Sequence, residues 1–154
     1  MSVQLGPRGT RGLKVPRNRV GRSVLAFGIR VVVGITRLTG GTRKGTSLLL
    51  TTTGARSGQQ RTVPVAAFRE GGGWLIVGSM GGAAAHPAWV HNLAKNPEAE
   101  IEVEGRRLRV RAATLHGDER AKHWQRITTE RPTFAGYEAK TDREIPVIRL
   151  RPLA

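Results

Sequence analysis

Residues 98–112 constrain the fold more than any other stretch of the chain. Ala99, Ile101 and Val103 alternate with Glu98, Glu100, Glu102 and Glu104; after Gly105, Leu108, Val110 and Ala112 alternate with Arg107, Arg109 and Arg111. An apolar period of two buries one face of a strand and wets the other. The wet faces carry opposite charge, so the two strands pair antiparallel and Glu–Arg contacts across them set the register. Three arginines are thereby given a structural job, and no functional role is expected of them.

Other strand signals surround this hairpin. Ser47–Thr53 is β-branched and apolar, Gly54–Gly58 is a turn, and Arg61–Arg69 reads as the returning strand. Glu70–Gly73 turns into a third strand, Trp74–Ser79. A loop at Gly81–Ala85 leads to Pro87, suited to the first position of a helix that runs to Lys95 and stops at Asn96-Pro97. Asp118–Arg131 reads as a helix ended by Pro132, Phe134–Thr141 as a short helix, and Ile145–Leu150 as a last strand. Consecutive antiparallel strands with inserted helices predict an α+β barrel. The domain reading is a mobile basic arm over 1–22, an N-terminal helix over 23–40 ended by Gly40-Gly41, and one barrel domain over 41–154.

The chain has 154 residues, enough for one self-sufficient core. It lacks cysteine, which excludes disulfides, thiolate nucleophiles and Cys-based metal sites and suits a cytoplasmic location. Charge is the more telling quantity. There are 26 basic and 11 acidic residues, and residues 1–69 hold 13 of the bases and no acid, the first carboxylate being Glu70. Such a field attracts a polyanion: a phosphorylated or polycarboxylate ligand, an anionic membrane face, or nucleic acid. Ser23–Leu38 is apolar apart from Arg30 and Arg37 but shorter than the roughly 20 residues needed to cross a bilayer. No small-residue cleavage site follows at Thr36–Thr42. The segment is read as a helix packed on the domain or lying on the inner face of the membrane as a peripheral anchor. Few aromatic residues and no reading motif argue against a nucleic-acid partner.

Among side chains that could carry chemistry, His86, His91, His116 and His123 show no metal-ligand spacing, and no metal is expected. Isolated acid pairs suited to hydrolysis are missing. Two stretches stand out. In Thr51–Pro64 a glycine-bounded turn offers backbone N–H groups between Arg56 and Arg61, which suits phosphate oxygens, though an ordinary hairpin turn would look the same. In Gly78–Asn92 a glycine loop feeds a helix N-terminus, again an anion-ready geometry. Trp89 and Asn92 share a face of that helix.

The run Leu48–Gly58, then Arg61–Pro64, Gly78-Ser79-Met80-Gly81-Gly82, His86-Pro87-Ala88-Trp89, Asn92-Leu93 and Asn96-Pro97, with the tail Gly136–Val147, resembles the deazaflavin (coenzyme F420)-dependent nitroreductase and quinone reductase family of actinobacteria. The resemblance covers about residues 45–152 in unbroken register. It implies a split β-barrel of the FMN-binding type that passes a hydride from reduced coenzyme F420 to a quinone, a nitroaromatic or a similar acceptor. It places Ala55, Arg56 and Ser57 on the coenzyme's phosphate and tail, and Arg61, Thr62, Val63, Pro64, Val65 and Ala66 along the same groove. Val77, Gly78, Ser79 and Met80 would flank the ring, and Ala88, Trp89, Val90, His91 and Asn92 would close the site. Ser79 and Tyr137 are the expected hydrogen-bond donors to the reacting oxygen. This chain departs from the family at Met80 and Ala85, where lysines are common. The alternatives are an FMN- or haem-binding protein on the same barrel, and a basic membrane- or nucleic-acid-binding protein without catalysis.

Overall fold

The computed structural model describes residues 2–38 and 46–154; the Gly40-Gly41 break and the start of the barrel domain at 41 lie outside them. The strands are β1 (Ser47–Thr53), β2 (Gln60–Glu70), β3 (Gly73–Val77), β4 (Glu98–Val103), β5 (Arg106–Thr114) and β6 (Val147–Pro152). They close into a barrel in the order β1-β2-β3-β6-β5-β4, each pair antiparallel. Helices α1 (Arg19–Leu38), α2 (Ala88–Lys95), α3 (Gly117–Glu130) and α4 (Thr133–Lys140) surround it, with a 3-10 turn at Met80–Gly82. The architecture is the split β-barrel with an N-terminal helix and inserted helices that the resemblance implies, and the α+β barrel that the strand pattern predicts.

The charged hairpin forms in the expected register: Glu98 lies opposite Arg111, Glu100 opposite Arg109 and Glu102 opposite Arg107. Arg107 reaches Glu100 at 3.2 Å and Arg109 reaches Glu98 at 2.8 Å. All of these groups are open to water, so each pair contributes only about 0.2–1 kcal/mol. Burial of Ile101, Val103, Val110 and Ala112 on the other face is the larger effect, since truncating one such aliphatic side chain typically costs about 2–5 kcal/mol.

Barrel closure follows from β1, whose Leu50 faces Ile101 across the seam with β4. Leu48, Leu50, Trp74, Ile76, Ile148 and Leu150 fill the interior, and Val90 and Leu93 of α2 pack against them. Leu75 and Val77, on the alternate face of β3, pack instead with Trp124 and Ile127 of α3 and Phe134 of α4. β3 is therefore buried on both sides, and it reads as an unbroken apolar run rather than an alternating one.

The N-terminus departs from the sequence reading in two ways. First, α1 begins at Arg19, four residues before the expected Ser23, because Asn18 caps it: its Oδ1 accepts the N–H of Gly21 at 3.0 Å. Second, residues 2–14 are not a loose arm but a strap along the barrel. Val3 is buried in the core. Gly9 N–H donates to Ala84 O at 2.9 Å and Leu13 N–H to Gly82 O at 3.1 Å. Asp142 accepts the N–H groups of Thr10 and Arg11 and the hydroxyl of Thr10, which holds its carboxyl down to about 2. Gly12 (φ 147°) lets the strap pass where a Cβ would lie 2.5 Å from Gly82 O.

Helix α1 touches the barrel along β2, buries Val33, and is tied down by Arg37, which grips Glu102 at 2.7 Å. Val20, Val24, Phe27, Val31 and Leu38, spaced three, four or seven apart, form one stripe that is 42–89% exposed. Among the described residues no helix is long and apolar enough to cross a membrane.

Candidate active site

The β1–β2 turn and the first turns of α2 face each other across a cleft of about 800 Å³. It is lined by Gly54, Ala55, Arg56, Ser57 and Arg61 from the turn side and by Ala88, His91, Asn92, Ala94 and Lys95 from the helix. Leu5 of the strap and Arg22 of α1 complete it. Seven of the residues expected at the coenzyme are thus brought together: Ala55, Arg56, Ser57, Arg61, Ala88, His91 and Asn92.

Asn92 builds the cleft. It is buried, its Oδ1 accepts Ala55 N–H at 2.9 Å, and its Nδ2 donates to Thr52 Oγ1 at 2.9 Å. Lys95, one turn further along α2, donates to Ala55 O at 2.6 Å. The turn is clamped to the helix by these three bonds. Its backbone N–H groups are less available than the sequence suggests. Gly54, Ala55, Gly58 and Gln59 spend theirs on Gln59 O, Asn92, Gly54 O and Ser57 Oγ. Among the described residues, the N–H groups of Arg56 and Ser57 have no such partner.

The electrostatics are one-sided. Arg22, Arg56, Arg61 and Lys95 line the cleft, and no carboxylate does. Among the described residues none of the four is ion-paired; Arg61 bonds only the amide oxygen of Gln59, at 3.1 Å. Four cations held around a concave surface without counter-charge suit an anionic ligand, and a phosphodiester matches the guanidinium geometry.

The second expected stretch forms a separate piece of the site. After β3 the backbone turns sharply, with Met80, Gly81 and Gly82 at positive φ (46°, 64° and 83°). A non-glycine residue in this region costs of order 1–3 kcal/mol and persists only if its surroundings hold it. They do: Arg143, only 4% exposed, aims its guanidinium at this loop. It donates to Gly78 O at 3.0 Å, Ser79 O at 2.8 Å and Ala83 O at 2.7 Å. Its remaining bond, at 3.2 Å, goes to His86 Nδ1. Arginine has no acceptor, so His86 Nδ1 must accept, and Nε2–H then donates to Gly6 O at 3.0 Å. Burial is the main cause that holds the His86 pKa below its usual 6.5, and the charge of Arg143 acts in the same direction against the Gly6 bond.

Gly82 approaches α4 so closely that a Cβ there would sit 2.6 Å from Tyr137 O, which brings the tyrosine's backbone to the Met80–Gly82 turn. Tyr137 is half-buried, its ring edge-on to Phe134 at 5.6 Å between centroids, with Lys140 Nζ 5.8 Å from its own centroid. Neither the Ser79 hydroxyl nor the Tyr137 hydroxyl has a protein partner among the described residues.

The other expected residues are distributed between site and core. Thr62, Val63 and Pro64 continue β2 away from Arg61; Thr62 shares its hydroxyl with Thr51 at 2.8 Å. Val63 and Trp89 pack on the interior cluster, and Ala66 and Val77 belong to the cluster under α3 and α4. Val65, expected along the groove, and Val90, expected to close the site from the helix, have side chains buried in the barrel interior, where period two on β2 and the inner face of α2 aim them. The sequence reading missed Arg22 and Lys95. Lys95 was legible, four residues beyond His91 on the same helical face. Arg22 was not, because its place depends on how α1 docks. Among the described residues no cluster of metal-ligating side chains occurs.

Comparison with known proteins places these features. Residues 29–152 match the family model described as F420H(2)-dependent quinone reductase. An F420H(2)-dependent quinone reductase of Mycobacterium tuberculosis is 40% identical over 107 residues, covering 68% of this chain and 72% of the relative. A second protein of that organism, described as a putative quinone reductase of the same type, is 36% identical over 117 residues, covering 75% and 98%. Among solved structures, an F420-H2 dependent reductase (FDR-A) superposes with a TM-score of 0.63 at 36% identity, over 72% of this chain and all of that one.

Proposed function

Because the chain belongs to the F420H(2)-dependent quinone reductase family, it is an oxidoreductase that uses coenzyme F420, and we propose that its cleft holds the coenzyme's phosphodiester while the Ser79–Tyr137 end receives the ring and a quinone. The observation that carries this reading is the cleft's set of unpaired cations, Arg22, Arg56, Arg61 and Lys95, with no carboxylate among them. Arg56 and Arg61 bind the phosphodiester, aided by the N–H groups of Arg56 and Ser57. Asn92 acts at one remove by fixing the turn that presents them. The backbone of Val77–Met80, held by Arg143, flanks the ring, and Ala88, Trp89 and His91 close the helix side. Thr62, Val63, Pro64 and Ala66 form the strand wall along which the ligand lies, while Val65 and Val90 support it from within the core.

When bound in its reduced form, the coenzyme supplies a hydride from C5 of the deazaflavin ring. The protein contributes position and charge stabilisation. As the hydride reaches the quinone, negative charge collects on a carbonyl oxygen. The hydroxyls of Ser79 and Tyr137, which have no side-chain or backbone partner among the described residues, donate hydrogen bonds to that oxygen, and a proton from solvent completes the hydroquinone. The buried loop around Ser79 keeps its donor oriented in a weakly screened setting.

Titration of the full chain with coenzyme F420, with FMN as the control, tests the cofactor site; assays with a quinone and with a nitroaromatic test the acceptor. Strong F420 binding, weak FMN binding and faster reduction of the quinone are expected. Preference for FMN, or turnover of the nitroaromatic alone, contradicts the proposal.

A membrane-facing role for α1 belongs to the same reading. Its exposed apolar stripe and the exposed Arg19 and Arg30 suit an anionic leaflet, where lipid-soluble quinones reside. Sedimentation with vesicles containing anionic lipid should retain the protein, and Phe27→Ser with Val31→Ser should release it. Equal retention of that variant, or no retention of the wild type, overturns this part.

A further inference from the structure

We infer that His86 is a positioning residue for the reaction: its bare Nδ1 holds the Arg143 guanidinium in the plane that presents Ser79, and the Gly6 carbonyl of the strap selects the tautomer that leaves that nitrogen bare. The inference rests on the reading that the Ser79 hydroxyl donates to the reacting oxygen. His86 acts through Arg143 and not by contact with the acceptor.

Arg143 carries the loop that follows β3, but most of its bonds return to that loop. Nε donates to Ala83 O at 2.7 Å, and one terminal nitrogen donates to Gly78 O at 3.0 Å and to Ser79 O at 2.8 Å. These carbonyls move with the segment they hold. The other terminal nitrogen lies 3.2 Å from His86 Nδ1, and this is the bond that leaves the loop. His86 is buried and stands just before Pro87, the N-cap of α2. Among the described residues it is the side chain that ties the guanidinium to α2. A guanidinium is a planar fork, so fixing one terminal nitrogen sets the direction of its other donors.

The bond forms in one protonation state alone. Arginine offers no acceptor, so Nδ1 must be unprotonated. Gly6 O lies 3.0 Å from Nε2 and can only accept, which keeps the proton of the neutral ring on Nε2. A strap carbonyl and a buried arginine thus demand the same tautomer from two sides of the ring. Among the described residues, the charged or titratable groups packed on that ring are Arg143 and, from α2, His91, edge-on at 6.1 Å between centroids. From the strap it meets the Gly6 carbonyl. Burial first, and then the charges of Arg143 and His91, hold His86 below its usual 6.5 against the pull of the Gly6 bond. A proton added at Nδ1 sets donor against donor and cation against cation across 3.2 Å, which expels the guanidinium and frees the loop.

The test is steady-state kinetics of the full chain with reduced coenzyme F420 and a quinone, alongside a coenzyme titration. Wild type, His86→Leu, His86→Asn, Ser79→Ala and the Ser79→Ala, His86→Leu double variant are compared, and circular dichroism confirms that each is folded. Leucine removes both ring nitrogens. Asparagine puts an amide oxygen near the Nδ1 position, where it accepts from Arg143 with no tautomer to choose. His86→Leu is expected to lower kcat about tenfold with coenzyme affinity unchanged, and His86→Asn to recover most of that loss. Wild-type kcat should fall as pH drops below 6.5, and in His86→Asn that fall should vanish. The double variant should be no slower than Ser79→Ala, since a donor that is absent cannot be misaimed. Equal losses in the leucine and asparagine variants, an acid limb that survives in His86→Asn, or losses that multiply in the double variant overturn the inference. Should the leucine variant not fold, the pH profile of His86→Asn decides. If Ser79→Ala by itself leaves kcat unchanged, the reading of Ser79 fails and the inference with it; if Ser79→Ala slows turnover and His86→Leu does not, the inference alone fails.

Discussion

The outer face of the β4–β5 hairpin and the end of the barrel where the strap meets α2 are both rich in arginine, yet they use it in opposite ways. On the hairpin, Arg107, Arg109 and Arg111 each meet a glutamate across the strands, and Glu102 also takes Arg37 from α1. Charge there is consumed locally and serves register and docking. At the other end Arg22, Arg56, Arg61 and Lys95 line a concavity without a carboxylate. Charge there has no counter-charge among the described residues, which is what the proposed anionic ligand requires. Residue type alone does not distinguish the two regions; partnership does. The net charge of +15 is therefore not spread evenly but is concentrated, in effect, where acids are missing.

The comparison can be broken most severely at Arg143, which among the described residues is the one buried cation without a carboxylate partner. Arg143→Met leaves the carbonyls of Gly78, Ser79 and Ala83 without their donor in a buried setting, so a loss of about 2–5 kcal/mol is expected in a denaturant titration. Turnover should fall as well, because the Ser79 donor loses its orientation. A stability change under about 1 kcal/mol would show that the loop holds its left-handed turn unaided.

Smaller effects separate binding from chemistry. Ser79→Ala and Tyr137→Phe are each expected to lower kcat by about ten- to a hundredfold while leaving coenzyme affinity unchanged, as for lost donors to a developing oxyanion. A change confined to affinity would move these hydroxyls from the acceptor to the coenzyme.

The strap offers a pH test. His86 titrates below its usual 6.5 in the folded protein, so the unfolded chain binds its proton more readily. Its contribution to stability is therefore present above 6.5 and is lost as pH falls toward the folded value. Asp142, at about 2, keeps its grip on Thr10 and Arg11 to far lower pH. Amide exchange at Gly9 and Leu13 should quicken as pH drops below 6.5, after correction for intrinsic rates, and His86→Gln should remove that dependence. The smallest effect belongs to the paired region: Arg109→Ala should cost no more than about 1 kcal/mol and leave coenzyme binding untouched.

Much of the fold was legible from the sequence because period-two alternation and turn residues act locally. The hairpin at 98–112, the glycine-bounded turn at 54–58 and the stop at Asn96-Pro97 fall where the pattern places them. What escaped depends on partners distant in sequence. The strap is fixed by Ala84, His86 and Asp142, and nothing within residues 2–14 announces those contacts. The cap at Asn18 was legible but lay within a Pro- and Arg-rich run that reads as unstructured. Of the residues that line the cleft, Arg56, Arg61, Ala88, His91 and Asn92 had been named from the motifs. The role of Asn92 as the clamp of Ala55, and that of Arg143 as the support of Gly78 and Ser79, appear only when the elements are brought together.

The most direct test of the account sets the two regions side by side. Coenzyme F420 is titrated into wild type, into Arg56→Ala with Arg61→Ala, and into Arg107→Ala with Arg109→Ala, all at the same low ionic strength. Each pair removes the same formal charge. If unpaired cations hold the ligand, the first variant loses about ten- to a hundredfold in affinity and the second binds as wild type does. Equal losses in the two would mean that net charge alone attracts the coenzyme, and the distinction between spent and reserved arginines would fail.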